Sequence, residues 1–198
     1  KPTGIIVKTA EANLSIRFYS DSIVRVTFTT EEFFEEFSYA VEAEPPKNIK
    51  LNISEEASLI ILKSSTLQVH VSKNPVRLTF LNADGQIINE DDPLSTRWNG
   101  EHVTSYKKLQ EGERFIGLGE KTGPLDRKGQ GYTNWNTDAY AYHTGADPLY
   151  CSTPFYIGLH SNLIYGIFLD NTHKTFFNFG ASNNRFSSFA ADSGEMNY

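Results

Sequence analysis

The stretch Leu67-Gln-Val-His-Val-Ser72, Lys73-Asn-Pro75, Val76-Arg-Leu-Thr-Phe-Leu81, Asn82-Ala-Asp-Gly85 and Gln86-Ile-Ile88 reads as strands separated by turns. Apolar residues recur at every second position (Leu67, Val69, Val71; Val76, Leu78, Phe80), which puts them on one face of an extended chain. Asn-Pro and Asp-Gly favour tight reversals, because proline presets its own φ and glycine tolerates φ > 0. Outward from this stretch the pattern repeats. Leu14-Ser-Ile-Arg-Phe-Tyr19 and Ile23-Val-Arg-Val-Thr-Phe-Thr29 flank Asp21-Ser22 and predict a hairpin, and Ser58-Leu-Ile-Ile-Leu-Lys63 predicts a further strand. Strands about every ten residues indicate an all-β sandwich or barrel.

The second half keeps this character. Pro154-Phe-Tyr-Ile-Gly-Leu-His160, Leu163-Ile-Tyr-Gly-Ile-Phe-Leu-Asp170 and Lys174-Thr-Phe-Phe-Asn-Phe179 read as a meander, with turns at Ser161-Asn162 and Asn171-Thr172. Phe186-Ser-Ser-Phe189 reads as another strand. Few short helices are expected, one of them near Glu90-Asp92 to Leu94. Phe33, Phe34 and Phe37 fall at helical spacing among acids and read as a solvated edge or short turn over apolar ground. No internal repeat occurs. The sequence stops at Gly194-Glu-Met-Asn-Tyr198, just after a turn signal, which reads as a chain cut from something longer.

Composition narrows the functional classes. The chain has 198 residues, 39% of them hydrophobic, enough for one domain with a real core. A net charge of −6, with both signs mixed along the chain, excludes a nucleic-acid partner, since phosphate binding needs clustered Lys and Arg. Cys151 is the single cysteine, so neither an intrachain disulfide nor a cysteine zinc site can form, and it reads as a small semi-buried residue. His70, His102, His143, His160 and His173 share no metal-ligand spacing, and neither a metal nor a cofactor is expected. No apolar run approaches the roughly 18 residues of a membrane helix, so the domain reads as soluble, cytoplasmic or secreted. Asn13-Leu-Ser15 and Asn52-Ile-Ser54 match the glycosylation pattern, which matters only in a secreted eukaryotic protein.

One segment fits neither helical nor strand periodicity: Phe115 to Tyr142, rich in glycines, rings and carboxylates. From Tyr132 to Tyr156 seven of 25 residues are aromatic (28%), against 13% for the chain, so the enrichment is local and suits a surface that holds a sugar. Gly117-Leu-Gly119 lacks the strand–helix unit of a dinucleotide fingerprint, so Gly117, Gly119, Gly123 and Gly129 read as tight backbone geometry. Glu120, Lys121, Asp126 and Arg127 read as ion pairs or caps of the loop.

Several blocks follow one another in order: Glu113-Arg-Phe-Ile-Gly-Leu-Gly-Glu-Lys-Thr-Gly-Pro-Leu-Asp-Arg-Lys-Gly129, Tyr132-Thr-Asn-Trp-Asn-Thr-Asp138, Asp147-Pro-Leu-Tyr150, Pro154 to His160 and Tyr165-Gly-Ile-Phe-Leu-Asp-Asn171. Together they resemble glycoside hydrolase family 31, the family of α-glucosidases and some α-xylosidases. The resemblance implies that residues 1–198 form a galactose-mutarotase-like antiparallel β-sandwich, N-terminal to a catalytic (β/α)8 barrel. Such a barrel needs roughly 250 residues and lies outside this chain. It also implies that the nucleophile and the acid/base are barrel aspartates. The nucleophile pattern Trp-x-Asp-Met-Asn-Glu is absent here, because Trp98 and Trp135 have other followers. No catalytic residue is therefore expected in this chain.

By the same resemblance, Asp138 matches an aspartate that hydrogen-bonds substrate hydroxyls beside the cleaved bond. Thr137, Trp135 and Tyr140 are its companion candidates: the rings offer flat apolar faces to a pyranose, and a carboxylate accepts strong hydrogen bonds from two hydroxyls. The implied function is an accessory domain of a retaining α-glucosidase, with an α-linked oligosaccharide as substrate and the barrel as partner. The alternatives are a free-standing carbohydrate-binding module, a mutarotase-like enzyme with a general acid and base near the ring oxygen, and a purely structural interaction domain.

Overall fold

The computed structural model describes residues 3–9, 11–32, 37–46 and 49–198. Its strands are β1 (Gly4–Lys8), β2 (Asn13–Phe18), β3 (Val24–Thr29), β4 (Asn52–Glu55), β5 (Leu59–Lys63), β6 (Leu67–Lys73), β7 (Val76–Asn82) and β8 (Ile87–Asn99). They continue as β9 (His102–Lys108), β10 (Arg114–Gly119), β11 (Gly131–Asn134), β12 (Ser152–His160), β13 (Leu163–Phe168), β14 (Thr175–Asn178), β15 (Phe186–Ala191) and β16 (Met196–Asn197). Every pairing is antiparallel. A nine-stranded sheet has the order β11-β14-β15-β9-β8-β7-β6-β5-β4; a four-stranded sheet runs β1-β2-β3-β16, and a three-stranded sheet runs β10-β12-β13.

Strand alternation builds the core. Leu67, Val69 and Val71 of β6, Leu78 and Phe80 of β7, Val103 of β9 and Phe189 of β15 line the inner face of the large sheet. Leu14, Ile16, Phe18, Val26 and Phe28 face them from the four-stranded sheet, and Phe115, Tyr156 and Ile167 from the three-stranded sheet. Phe115 stacks on Phe179 at 4.4 Å, and Tyr156 meets Phe179 edge-on at 5.0 Å. Such aromatic contacts add about 0.5–1.5 kcal/mol to the burial of the rings.

The expected hairpin at Asp21-Ser22 forms between β2 and β3, and Phe186–Phe189 lies within β15. Three expectations are corrected. No helix occurs among the described residues, and the segment Glu90 to Leu94 is part of β8. Pairing with β7 and β9 on its two sides holds that segment extended, and it bulges between Asp91 and Thr96. Pro93 has no N–H to give a ladder there, and the Asp92 carboxylate accepts the Leu94 N–H instead (3.0 Å). The three-strand meander is also corrected. β12 and β13 form a hairpin whose turn, Ser161 and Asn162, has φ of 48° and 62° at both central residues. β14, however, leaves for the large sheet and pairs with β11 and β15. The Asn171 amide donates to the Ser193 and Glu195 carbonyls (2.9 and 3.0 Å), so the chain crosses between layers instead of reversing. Phe33 and Phe34 of the acidic cluster lie outside the described residues; Phe37 is 70% exposed, with its ring edge-on to Tyr39. Cys151 is exposed rather than semi-buried.

Two polar clusters interrupt the apolar interior. Lys107 of β9 and Asp91 of β8 are opposite each other in the ladder, and both side chains are fully buried. The ammonium donates to Asp91 Oδ1 (2.6 Å) and to the Tyr198 hydroxyl (2.8 Å), with the Tyr198 ring at 4.6 Å. Asp91 Oδ2 accepts the Leu78 N–H (2.8 Å). In the second cluster, buried Glu113 accepts the Tyr165 hydroxyl (2.6 Å) and the Gln110 N–H (2.9 Å). Burial pushes the Glu113 carboxyl above the usual range, against the pull of those bonds.

Lys107→Met should lower stability by about 3–5 kcal/mol in denaturant unfolding, because it strands a buried carboxylate. Adding Asp91→Asn should recover part of that loss, and a double variant no more stable than the single one would refute the account. Glu113 holds its proton more tightly folded than unfolded. Stability should therefore fall as pH rises from the unfolded value near 4.5 toward the raised folded one. Native chain and Glu113→Gln compared by urea titration between pH 4 and 7 should differ by a pH-dependent amount; a constant difference would show that Glu113 is not the cause.

Candidate functional site

The segment from Phe115 onward leaves the three-stranded sheet through a bulge between Gly117 and Gly119. Their φ values are 139° and 73°, and a Cβ would lie 2.5 Å from the Phe155 carbonyl at Gly117 and 2.7 Å from that of Cys151 at Gly119. Both positions therefore need glycine. The chain then folds back on itself. The Arg127 N–H donates to the Phe115 carbonyl (2.8 Å), and the Arg127 guanidinium donates to the Thr122 and Pro124 carbonyls (3.2 and 2.7 Å). Arg114 pairs with Asp126 at 2.7 Å. Partial burial opposes ionisation of Asp126, but hydrogen bonds from Arg114 and the Lys128 and Phe115 N–H groups hold it below the usual carboxylate value. The structural roles expected for Glu120, Lys121, Asp126 and Arg127 are those observed: Glu120 accepts the Cys151 N–H and Lys121 pairs with Asp147.

β11 then joins the edge of the large sheet, and residues 135–151 form a loop between it and β12. Buried Leu149 anchors the loop, and the Thr137 N–H donates to the Leu149 carbonyl (2.9 Å). The Trp135 N–H donates to Ser152 Oγ (3.1 Å), and the Ser152 N–H to Asn136 Oδ1 (2.8 Å).

This frame sorts the four candidate residues. Asp138 is exposed, and among the described residues no hydrogen bond or ion pair engages its carboxylate. Tyr140 stands beside it, 89% exposed and with no ring partner among the described residues. Thr137 is half-buried and donates its hydroxyl to the Trp135 carbonyl (3.1 Å), so it braces the loop. Trp135 is 48% exposed. It carries Lys174 5.6 Å from its ring and lines a groove of about 330 Å³ with Asn136, Ser152, Pro154, Thr172 and His173. Trp135 thus lines a groove whose lining includes neither Asp138 nor Tyr140, and both of those are exposed.

Sequence reasoning missed two features. The groove residues Thr172 and His173 join Trp135 only because β14 crosses into the large sheet. Tyr142 and Tyr150 meet edge-on at 6.2 Å and form a second aromatic edge of the loop. Their local enrichment in rings was the signal available. The Tyr150 hydroxyl is pushed above its ordinary value by loss of solvent and then by the charges of Asp138 and Glu120. A larger cavity of about 550 Å³ lies elsewhere, between the layers, and is lined mainly by apolar groups such as Val26, Leu67, Phe80 and Ile167. Its one carboxylate, Asp170, is occupied by Arg25 (2.9 Å) and Ser38 (3.0 Å), which leaves little there for sugar hydroxyls.

No group of three or more metal-binding side chains occurs among the described residues, and no described helix is long and apolar enough to cross a membrane. The profile of the glycosyl hydrolase 31 N-terminal galactose mutarotase-like domain matches residues 13–178. Alpha-glucosidase 2 of Bacillus thermoamyloliquefaciens is 35% identical over 189 residues, covering 93% of this chain and 24% of that protein. Alpha-xylosidase XylQ of Lactiplantibacillus pentosus is 29% identical over 146 residues, covering 69% and 18%. Among solved structures, the GH31 dextranase of Flavobacterium johnsoniae superposes with TM-scores of 0.90 in its isomaltotriose complex and 0.91 in its glucose complex. Sequence identity is 31%, over 100% of this chain and 24% of that one. The chain thus spans about a quarter or less of the length of these relatives. By its sequence profile, its fold and its relatives alike, this chain belongs to glycoside hydrolase family 31, as an N-terminal galactose mutarotase-like domain.

Proposed function

We propose that this domain is the accessory sandwich of a retaining α-glucosidase and lends the tip of its 135–151 loop to the substrate pocket. The observation that carries this reading is Asp138: a solvent-facing carboxylate with no hydrogen-bond partner among the described residues, on a loop braced from both sides. Such a group is free to accept two sugar hydroxyls, and charged acceptors make the stronger bonds. Tyr140 beside it offers an apolar face to the ring. An α-linked oligosaccharide suits this arrangement, as does the isomaltotriose carried by the dextranase neighbour.

The cleavage itself is assigned to a barrel elsewhere in the same polypeptide. A retaining glycosidase needs two carboxyl groups about 5–5.5 Å apart and open to substrate. The buried carboxylates Asp91, Asp92 and Glu113 are each tied to an internal partner: Lys107, Arg185 and Tyr165 respectively. The relatives' fourfold greater length leaves ample room for a barrel. The groove beneath Trp135 favours a second reading, a carbohydrate-binding module, because it joins a half-exposed indole to Asn136, Ser152 and His173.

Asp138→Ala in the full-length enzyme should lower kcat/KM for maltose by about 10- to 150-fold, the equivalent of one lost charged hydrogen bond of roughly 1.5–3 kcal/mol. An unchanged kcat/KM would remove Asp138 from the pocket. The 198-residue chain alone should neither hydrolyse p-nitrophenyl α-glucoside nor release heat with maltose in titration calorimetry. Turnover would overturn the accessory role, and maltose binding without turnover would favour the binding module.

A further inference from the structure

We propose that Lys121 and Asp147 are positioning residues that set the location of Asp138 through a charge clasp at the neck of its loop. The inference rests on the pocket role of Asp138 proposed above. The Lys121 side chain is fully buried, and that of Asp147 is 19% exposed. Lysine is almost never fully buried without a partner, and removing its charge from water costs several kcal/mol before any pairing. An apolar side chain would fill the same place without that cost, so the charge needs a reason beyond packing.

The partners supply one. Lys121 Nζ donates to the Thr133 carbonyl (2.6 Å) and to Asp147 Oδ1 (2.7 Å). The other carboxylate oxygen, Asp147 Oδ2, accepts the Thr133 N–H. Thr133 lies in β11, the edge strand of the large sheet, and is paired to Phe176 of β14 on one side only. On its open side, both its N–H and its carbonyl are bound by this pair. The two side chains therefore act as the missing neighbour strand and stop further pairing at that edge.

Thr133 and Asp147 also bracket residues 134–146, which include Asp138, Tyr140 and Tyr142. One carboxylate therefore joins both ends of the loop, and Lys121 neutralises and aims it. Beside the clasp, the Gly145 N–H donates to Thr122 Oγ1 (2.8 Å), and the Tyr132 ring lies 5.8 Å from Lys121 Nζ. Among the described residues no side-chain bond holds Asp138, so its position depends on how rigidly this neck is closed. A displacement of about 1 Å at a substrate contact is enough to cost on the order of 100-fold in rate.

The test is a double-mutant cycle in the full-length enzyme, with kcat/KM measured on maltose and on isomaltotriose and thermal unfolding followed in parallel. Lys121→Met and Asp147→Asn should each lower kcat/KM by about tenfold, part of the hundredfold scale expected for misplacement. Asp147→Asn keeps an acceptor for the Thr133 N–H and removes only the charge, so it serves if Lys121→Met fails to fold. In an Asp138→Ala background neither clasp variant should reduce kcat/KM further by more than about twofold, because the group they position is gone. Lys73→Ala, which breaks the remote Lys73–Glu55 pair, should leave kcat/KM unchanged. The clasp proposal is overturned if the clasp and Asp138 losses multiply, or if the clasp variants match the native enzyme while Asp138→Ala is impaired. If Asp138→Ala itself has no effect, the pocket role falls first and the clasp with it.

Discussion

The buried pairing of Lys107 with Asp91 and Tyr198 is the constraint on which the two-layer arrangement depends. Lys107 and Asp91 belong to adjacent central strands of the large sheet, while Tyr198 follows β16 in the opposing sheet. The ammonium thus joins both layers through their shared core, and the Val26 and Tyr198 main chains exchange hydrogen bonds at 2.7 and 2.9 Å to complete the seam. In such a place a charge must find every partner or be severely penalised. The register of β8 on β9 that sets Asp91 opposite Lys107, together with the position of Tyr198, satisfies it. The Tyr198 hydroxyl is pushed well above its ordinary value by burial and then by the Asp91 charge, so it stays protonated and donor-capable.

The same logic recurs at the periphery with a different outcome. Buried Lys121 and partly exposed Asp147 close the neck of a loop that projects from the sandwich. Inside, buried polarity selects one packing. At the neck, it selects one course for a loop whose own residues are largely solvent-facing. Asp138 lies between these fixed points, exposed and with no hydrogen bond or ion pair to its carboxylate among the described residues.

Much of the strand content was legible. The run at Leu67–Leu81 shows period-two burial because one face meets the core, whereas β3 is buried at four successive positions, Val26 to Thr29, on both of its faces. Legibility failed where pairing partners are distant. Glu90 to Leu94 looked capable of a turn of helix, yet β7 and β9 held it extended. Lys174–Phe179 looked like the third strand of a meander, yet it joined β15 and also β11, whose Asn134 pairs with Thr175 41 residues later. In the first case local propensity, worth tenths of a kcal/mol per residue, yielded to tertiary pairing and burial; in the second the strand formed as read and only its partners differed. The exposure of Cys151 was similarly invisible, since it follows from the bulge at Gly117–Gly119 against which that residue is laid.

By itself the sequence determined that this chain is an antiparallel β-protein with one ring-rich loop, because alternation and turn chemistry are written residue by residue. Through the ordered blocks from Glu113 to Asn171 it also carried the family. Only the tertiary structure decided which strands share a sheet, that Trp135 faces a groove while Asp138 and Tyr140 face solvent, and that Lys121 closes on Asp147. The reason is physical. Periodicity reports which face of a strand avoids water, whereas partners 26 residues apart, as Lys121 and Asp147 are, meet only when the whole chain has packed.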